Sequence, residues 1–400
     1  MGFQHASEKF LLVLATTLAV ACSGTVNDGD DATGAFPSRR PSFEPVGRRL
    51  GYVANRNSDT VSVLDLDSMT LLGSVPVGRG PVDIDGPRHV VLDPADGLAY
   101  VALSYPYSNE SVHALSHGAT QRSGYVQALN LLDLSVAGDL RVDPSATEIA
   151  FSATTGRLAV SHFDLFRALN SDLEARRANL VLVDPGSAIE RGNAEPRRLP
   201  LCAAPAALAF DGDGARVFVA CTGEDSIAVV DSASGEVLSR VPAGKADVNK
   251  PYAMVLDPAR ERLLVSNQVS FSVSVFDLSD TPNLLTTLTR QNDPATFASG
   301  VPMFATLLSE TTLAVPLQAP NGAALFDLTS GEQLLEVQYS DADCTNPAEF
   351  SVSSDSRLRL VCEGDHYRPG AVVEVDPNTL EIISSVTVEL YPDRMSILEP

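Results

Sequence analysis

Tryptophan is absent from this chain and aromatic residues make up only 6% of it, so any core must be packed with valine, leucine, alanine and isoleucine. Positive charge is scarce as well. The 28 Lys and Arg stand against 51 Asp and Glu, a formal charge of −23. A chain this acidic is repelled by nucleic-acid phosphates and by anionic lipid, which excludes binding to either through bulk electrostatics. Long apolar runs are missing apart from residues 10–21, and that run is too short to span a bilayer. Motifs of familiar chemistry are missing too. There is no CxxC, CxxCH, HExxH or GxSxG, and "AGKAD" around Lys245 lacks the Ser or Thr of a phosphate-binding loop.

The short apolar run reads as an address. It follows Lys9, and residues 1–21 have the form of a secretory signal peptide. Ala19-Val20-Ala21 fits the small-x-small rule of signal peptidase. The stretch Leu18 to Cys22 resembles a bacterial lipobox, departing from it at Ala19, where Leu is usual. Both readings cut before Cys22. Five cysteines are an odd number for an exported protein, and four of them fall into two matched pairs. Cys22 is therefore the expected lipidation site, with a secreted soluble or periplasmic protein carrying a free thiol as the alternative. Residues 22–48 are polar and without periodicity, and read as a flexible tether. Ser23 in place of Asp after the cysteine makes the outer membrane of a Gram-negative cell the expected address.

The remainder, residues 49–400, repeats. The pattern apolar-x-apolar-Asp occurs as VSVLD (Asp65), LNLLD (Asp133), LVLVD (Asp184), IAVVD (Asp231), VSVFD (Asp277), AALFD (Asp327) and VVEVD (Asp376). The copies are spaced at about 50 residues, with one longer first step, which is the signature of propeller blades. Within each copy a strand opens at or near a proline, a tight turn follows, then a second strand, a third ending in the Asp, and a fourth more polar one. The expected fold is an all-β, seven-bladed propeller of four-stranded antiparallel blades. The first copy lacks its first strand, and "RMSIL" near the C-terminus is the stretch that can supply it and close the ring. The Asp residues are expected to cap their own turns.

The run YVAN…TVSVLDLDSMTLLGSVPVG (residues 52–78) resembles the YVTN-type β-propeller repeat family, and residues 218–244 match nearly as well. The resemblance is specific for fold and implies little about activity. Cys202 and Cys344 each precede a blade-opening proline, and Cys221 and Cys362 each end a second strand of the same blade. Of the three possible pairings, the in-blade pairs Cys202–Cys221 and Cys344–Cys362 are the ones the repeat geometry favours, with buried thiols as the alternative.

Function is less legible. Long insertions fall on one end of the ring, the upper face, where second strands lead to third strands and fourth strands to the next blade. His89, His113, His117, His162 and His366 all map there, and His89, His162 and His366 are candidate metal ligands beside Asp164, Glu363 and Asp365. No cofactor is implied by any motif. The reading taken first is a non-enzymatic envelope lipoprotein: a monomer, membrane-bound by its lipid alone, whose upper face holds an envelope protein or surface polymer. The alternative is an enzyme using the upper-face funnel, because seven-bladed propellers resembling this one include lactonases and metal-assisted lyases.

Overall fold

The computed structural model describes residues 43, 47–78, 84–104, 123–184, 189, 195–279, 281–289 and 300–400. The signal segment, Cys22, His113 and His117 lie outside them. Seven antiparallel sheets surround a central axis, and the fold is a seven-bladed β-propeller. Blade 1 has the strand order Pro392–Leu398, Leu50–Asn55, Thr60–Asp65, Thr70–Pro76, so the last strand of the chain is the innermost strand of the first blade. It pairs with its neighbour from Leu50↔Leu398 to Asn55↔Pro392.

Each core lies between two blades, with no single interior. One buried cluster joins blades 1 and 2 through Tyr52, Val63, Val90 and Leu103, and equivalent clusters join each successive pair round to blades 7 and 1. Period-2 alternation produces this, because each strand points one set of side chains at the blade before it and the other at the blade after it. Branched aliphatic residues fill such flat interfaces without tryptophan. Phe43 is buried in the first cluster and its N–H donates to the Leu132 carbonyl at 2.6 Å, so a residue of the expected tether is built into the lower face of the ring.

The turn aspartates cap as expected. Asp65 accepts from the N–H groups of Asp67 and Ser68, and Asp231, Asp327 and Asp376 do the same in their own turns. Both disulfides are present, Cys202–Cys221 and Cys344–Cys362. Their placement differs from the in-blade reading. Cys202 sits in Arg197–Ala203, the outer strand of blade 3, and Cys344 lies in the connection leading from blade 6. Each bridge therefore ties the end of one blade to the second strand of the next.

The inner strands position the site. They are Pro392–Leu398, Pro87–Asp93, Ala146–Ser152, Pro205–Phe210, Pro251–Asp257, the broken pair Val301–Pro302 and Thr306–Leu307, and Pro347–Val352. A proline at the first position has no N–H to give the ladder. The register then slips just inside the strand, between Pro87 and His89, Ala146 and Ile149, Pro251 and Ala253, and Pro347 and Glu349. Such bulges re-aim side chains. Here they turn the second and third residues of several inner strands into the channel.

Candidate functional site

Five inner strands deliver ionic groups to the middle of the channel, and these are arranged around its axis as an ionic ring of two networks. Arg88 pairs with Asp393, Nε to Oδ2 at 2.8 Å, and reaches the Tyr252 hydroxyl at 3.5 Å. His89 Nδ1 lies 2.9 Å from Glu148 Oε1. The same oxygen accepts from Arg394 Nη1 at 2.6 Å. Arg394 Nε donates to Glu349 Oε1 at 2.7 Å, and the other Glu349 oxygen accepts the Met395 N–H at 2.7 Å. The guanidinium of Arg394 also lies 3.6 Å from the centre of the Phe304 ring.

Phe304 reaches this position because the inner strand of blade 6 is broken. Its N–H donates to the Ala348 carbonyl and its carbonyl accepts from Phe350, so the residue pairs with blade 7 instead of its own sheet. The ring then stands beside Tyr252, which in turn meets Phe163 edge-on.

All the ionic groups are nearly withdrawn from water, and their partners decide their charge. Burial pushes the Glu148 carboxyl up, but Arg394 and His89 outweigh it and hold Glu148 below the usual glutamate range. Burial likewise works against the charge on Arg88, and Asp393 more than restores it. Burial raises the Tyr252 phenol.

Space is distributed unevenly about the ring. Above it, between Arg88, Thr147 and Tyr252, lies a void of about 10 Å³. Below it a cavity of about 330 Å³ opens in the lower half of the channel. His89, Phe304, Glu349 and Arg394 form its inner end. This cavity lies on the lower side of the channel, away from the upper-face funnel expected from the long loops.

The three candidate metal ligands do not converge. His89 belongs to the ring. His162 is buried at the end of its strand, its Nδ1 2.8 Å from the Asn179 carbonyl, and burial lowers its pKa, so it is a neutral core residue. His366 stacks on Tyr391 with ring centres 3.7 Å apart and lies 3.0 Å from Glu363, whose own carboxyl is raised by burial. Among the described residues no group of three or more His, Cys, Asp and Glu is arranged to hold a metal ion. Asp164 caps the four-residue helix Leu165–Ala168 and Asp365 caps the turn at Tyr367, so both neighbours are structural.

Sequence reading missed Arg88, Glu148, Tyr252, Phe304, Glu349, Asp393 and Arg394. A signal was present: a charged or aromatic residue one or two places after the opening proline of an otherwise apolar strand, as in PRHVVLD, PAEFSVS and PDRMSIL.

Residues 170–297 match the family described as lactonase, seven-bladed β-propeller. No curated protein matches the chain. Solved structures share the fold at low identity. A periplasmic gluconolactonase of Pseudomonas aeruginosa is 14% identical with a TM-score of 0.64, over 88% of this chain and 99% of that one. A protein described as a candidate 6-phosphogluconolactonase from Bacteroides fragilis gives 11% identity and 0.63, over 89% and 100%. A dihydro-heme d1 dehydrogenase gives 15% and 0.56, over 89% and 77%. The family match over residues 170–297 overturns the reading of the ring as a non-enzymatic scaffold. The family that matches is an enzyme family.

Proposed function

We propose that the chain is an exported hydrolase of lactonase type, opening a cyclic ester at the inner end of the lower cavity. The observation that carries this reading is the buried chain His89–Glu148–Arg394–Glu349 facing a cavity of ligand size. Glu148 stands 2.9 Å from the Nδ1 side of His89, and Nε2 is the nitrogen we assign as general base on water. The water oxygen bonds to the lactone carbonyl carbon and its proton passes to His89. The ring C–O bond then breaks, and the leaving alkoxide takes that proton back. Arg394 has five N–H donors, more than its two carboxylates use, and the surplus faces the negative charge that develops on the carbonyl oxygen. The partial match to the lactonase family supports the reaction class. The two disulfides support export, since such bonds persist in oxidising compartments.

The test is lactone opening followed by proton release at constant pH. The intact protein should open lactones, and His89→Ala should lower kcat by about two orders of magnitude or more with the far-ultraviolet spectrum unchanged. An active His89→Ala protein would rule out His89 as the base.

A further inference from the structure

We infer that Phe304 is a positioning residue for Arg394, its ring face holding the guanidinium on the cavity side of the channel and away from Asp393. The inference rests on the lactonase reading above, in which Arg394 meets the negative charge that develops on the substrate.

A proline in the sequence creates the position. Pro316 lies in Thr312–Gln318, the second strand of blade 6, and has no N–H to give the inner strand. Its carbonyl accepts from the Met303 N–H at 3.0 Å, but the missing N–H cannot return the bond. The Met303 carbonyl accepts instead from the Ser266 hydroxyl of blade 5 at 2.8 Å. Ladder pairing stops at Pro302↔Leu317 and resumes at Thr306↔Ala314, so three residues stand opposite two. Such an excess re-aims side chains. Phe304, freed from its own sheet, takes both backbone bonds from blade 7 beside Glu349, one of the two carboxylates on Arg394. Ala207, Ala220 and Ala253 share a buried cluster with its ring.

The consequence is electrostatic. Arg394 bonds Glu148 and Glu349, and it is also attracted by Asp393, whose own partner is Arg88. Asp393 lines the small void above, so a guanidinium drawn toward it would leave the cavity below. Phe304 and Arg394 are the two residues common to the linings of that void and of the cavity, and together they form the floor between them. The centre of the phenyl ring lies 3.6 Å from the guanidinium carbon, where its face attracts the cation. A third carboxylate in this place would consume N–H donors. The phenyl face restrains the guanidinium without taking any of the donors that serve the reaction.

The experiment replaces Phe304 by mono-, di- and trifluorinated phenylalanine in the disulfide-bonded protein, with gluconolactone and δ-valerolactone as probes. Fluorine withdraws charge from the ring face with little change of shape, so packing is kept while the attraction for the cation falls. The expected result is a kcat that falls stepwise along the series, to about a tenth with the trifluorinated ring, while KM stays within about twofold. A merely structural ring would leave kcat flat, and a flat series overturns this inference while the lactonase reading stands. A change confined to KM overturns it too, since the ring would then act in substrate binding. No opening of either lactone by the intact protein overturns both. A second measurement needs no turnover. Phe304→Leu keeps an apolar side chain without a ring face, and its effect on the unfolding constant in urea should be about tenfold smaller in an Arg394→Met background than in the intact protein. Equal effects in the two backgrounds would show that ring and guanidinium are uncoupled, and the inference would fall.

Discussion

Arg394 has three neighbours that each restrain it: Glu148, Glu349 and the face of Phe304. Removing one carboxylate leaves a buried charge poorly compensated. Glu349→Ala should cost about 3–5 kcal/mol in urea unfolding, because it strips both Arg394 and the Met395 N–H of an acceptor. Arg394→Met combined with Glu349→Leu should still cost about 3–5 kcal/mol, because it leaves Glu148 buried without its guanidinium and the Met395 N–H without an acceptor, and it should be inactive on lactones. Glu148 sets the acid limb. Its folded-state pKa is depressed, so its stabilisation is fully present above the unfolded value of about 4.3 and is lost as pH falls through the folded value. Glu148→Gln should flatten the loss of stability across that acidic window, read as the urea midpoint against pH; an unchanged slope would contradict the assignment. The repeat residues have a different role. Asn55 of YVAN donates to Thr60 and Ser62, and Asn267 to Ser272 and Ser274, so the residue that makes the repeat recognisable fastens its own hairpin.

The strands were legible because alternation and turn chemistry are local, and they recur in every copy. The ring was not, because it takes one or two residues from each of five blades, and only the closed circle brings Glu148, Glu349 and Arg394 together. Register slips at the inner prolines add to this, since a bulge redirects side chains that plain alternation would assign to a blade interface. The entry to these strands is itself strained. The preceding residue has positive φ in six blades: Gly86, Ser145, Ala204, Lys250, Asn346 and Tyr391. Asp59 and Asp225 brace two of these entries by accepting consecutive N–H groups of the incoming chain. Cys202 was assigned to the following blade for a related reason: the proline at Pro205 marks where an inner strand begins, but the outer strand before it runs on to Ala203. Since that bridge ties two blades together, Cys202→Ser with Cys221→Ser should lower stability by about 2–4 kcal/mol, measured by urea unfolding under oxidising conditions.

At the scale of the whole molecule, stability and the site depend on one closure. The apolar cores form only between neighbouring blades, and the ring removes sheet edges that would otherwise be exposed. The closing strand Pro392–Leu398 packs against Leu50–Asn55 on one side and contributes Met395 to the core between blades 7 and 1. The same strand supplies Asp393 and Arg394, two of the ring's charges. Its end is fastened as well, since Glu399 pairs with Arg49 and accepts from Ser354. A chain ending before Pro392 therefore loses the inner strand of blade 1, leaves the edge of Leu50–Asn55 unpaired, and strands Glu148, Glu349 and Arg88 as buried groups without their partners. It should be recovered unfolded or aggregated, not as an active monomer. Adding residues 392–400 back as a separate peptide should restore a monomer on size exclusion and lactone opening together, because the strand carries closure and chemistry at once. The same peptide with Arg394→Met should restore the monomer alone. If it restored lactone opening too, Arg394 would have no part in the reaction.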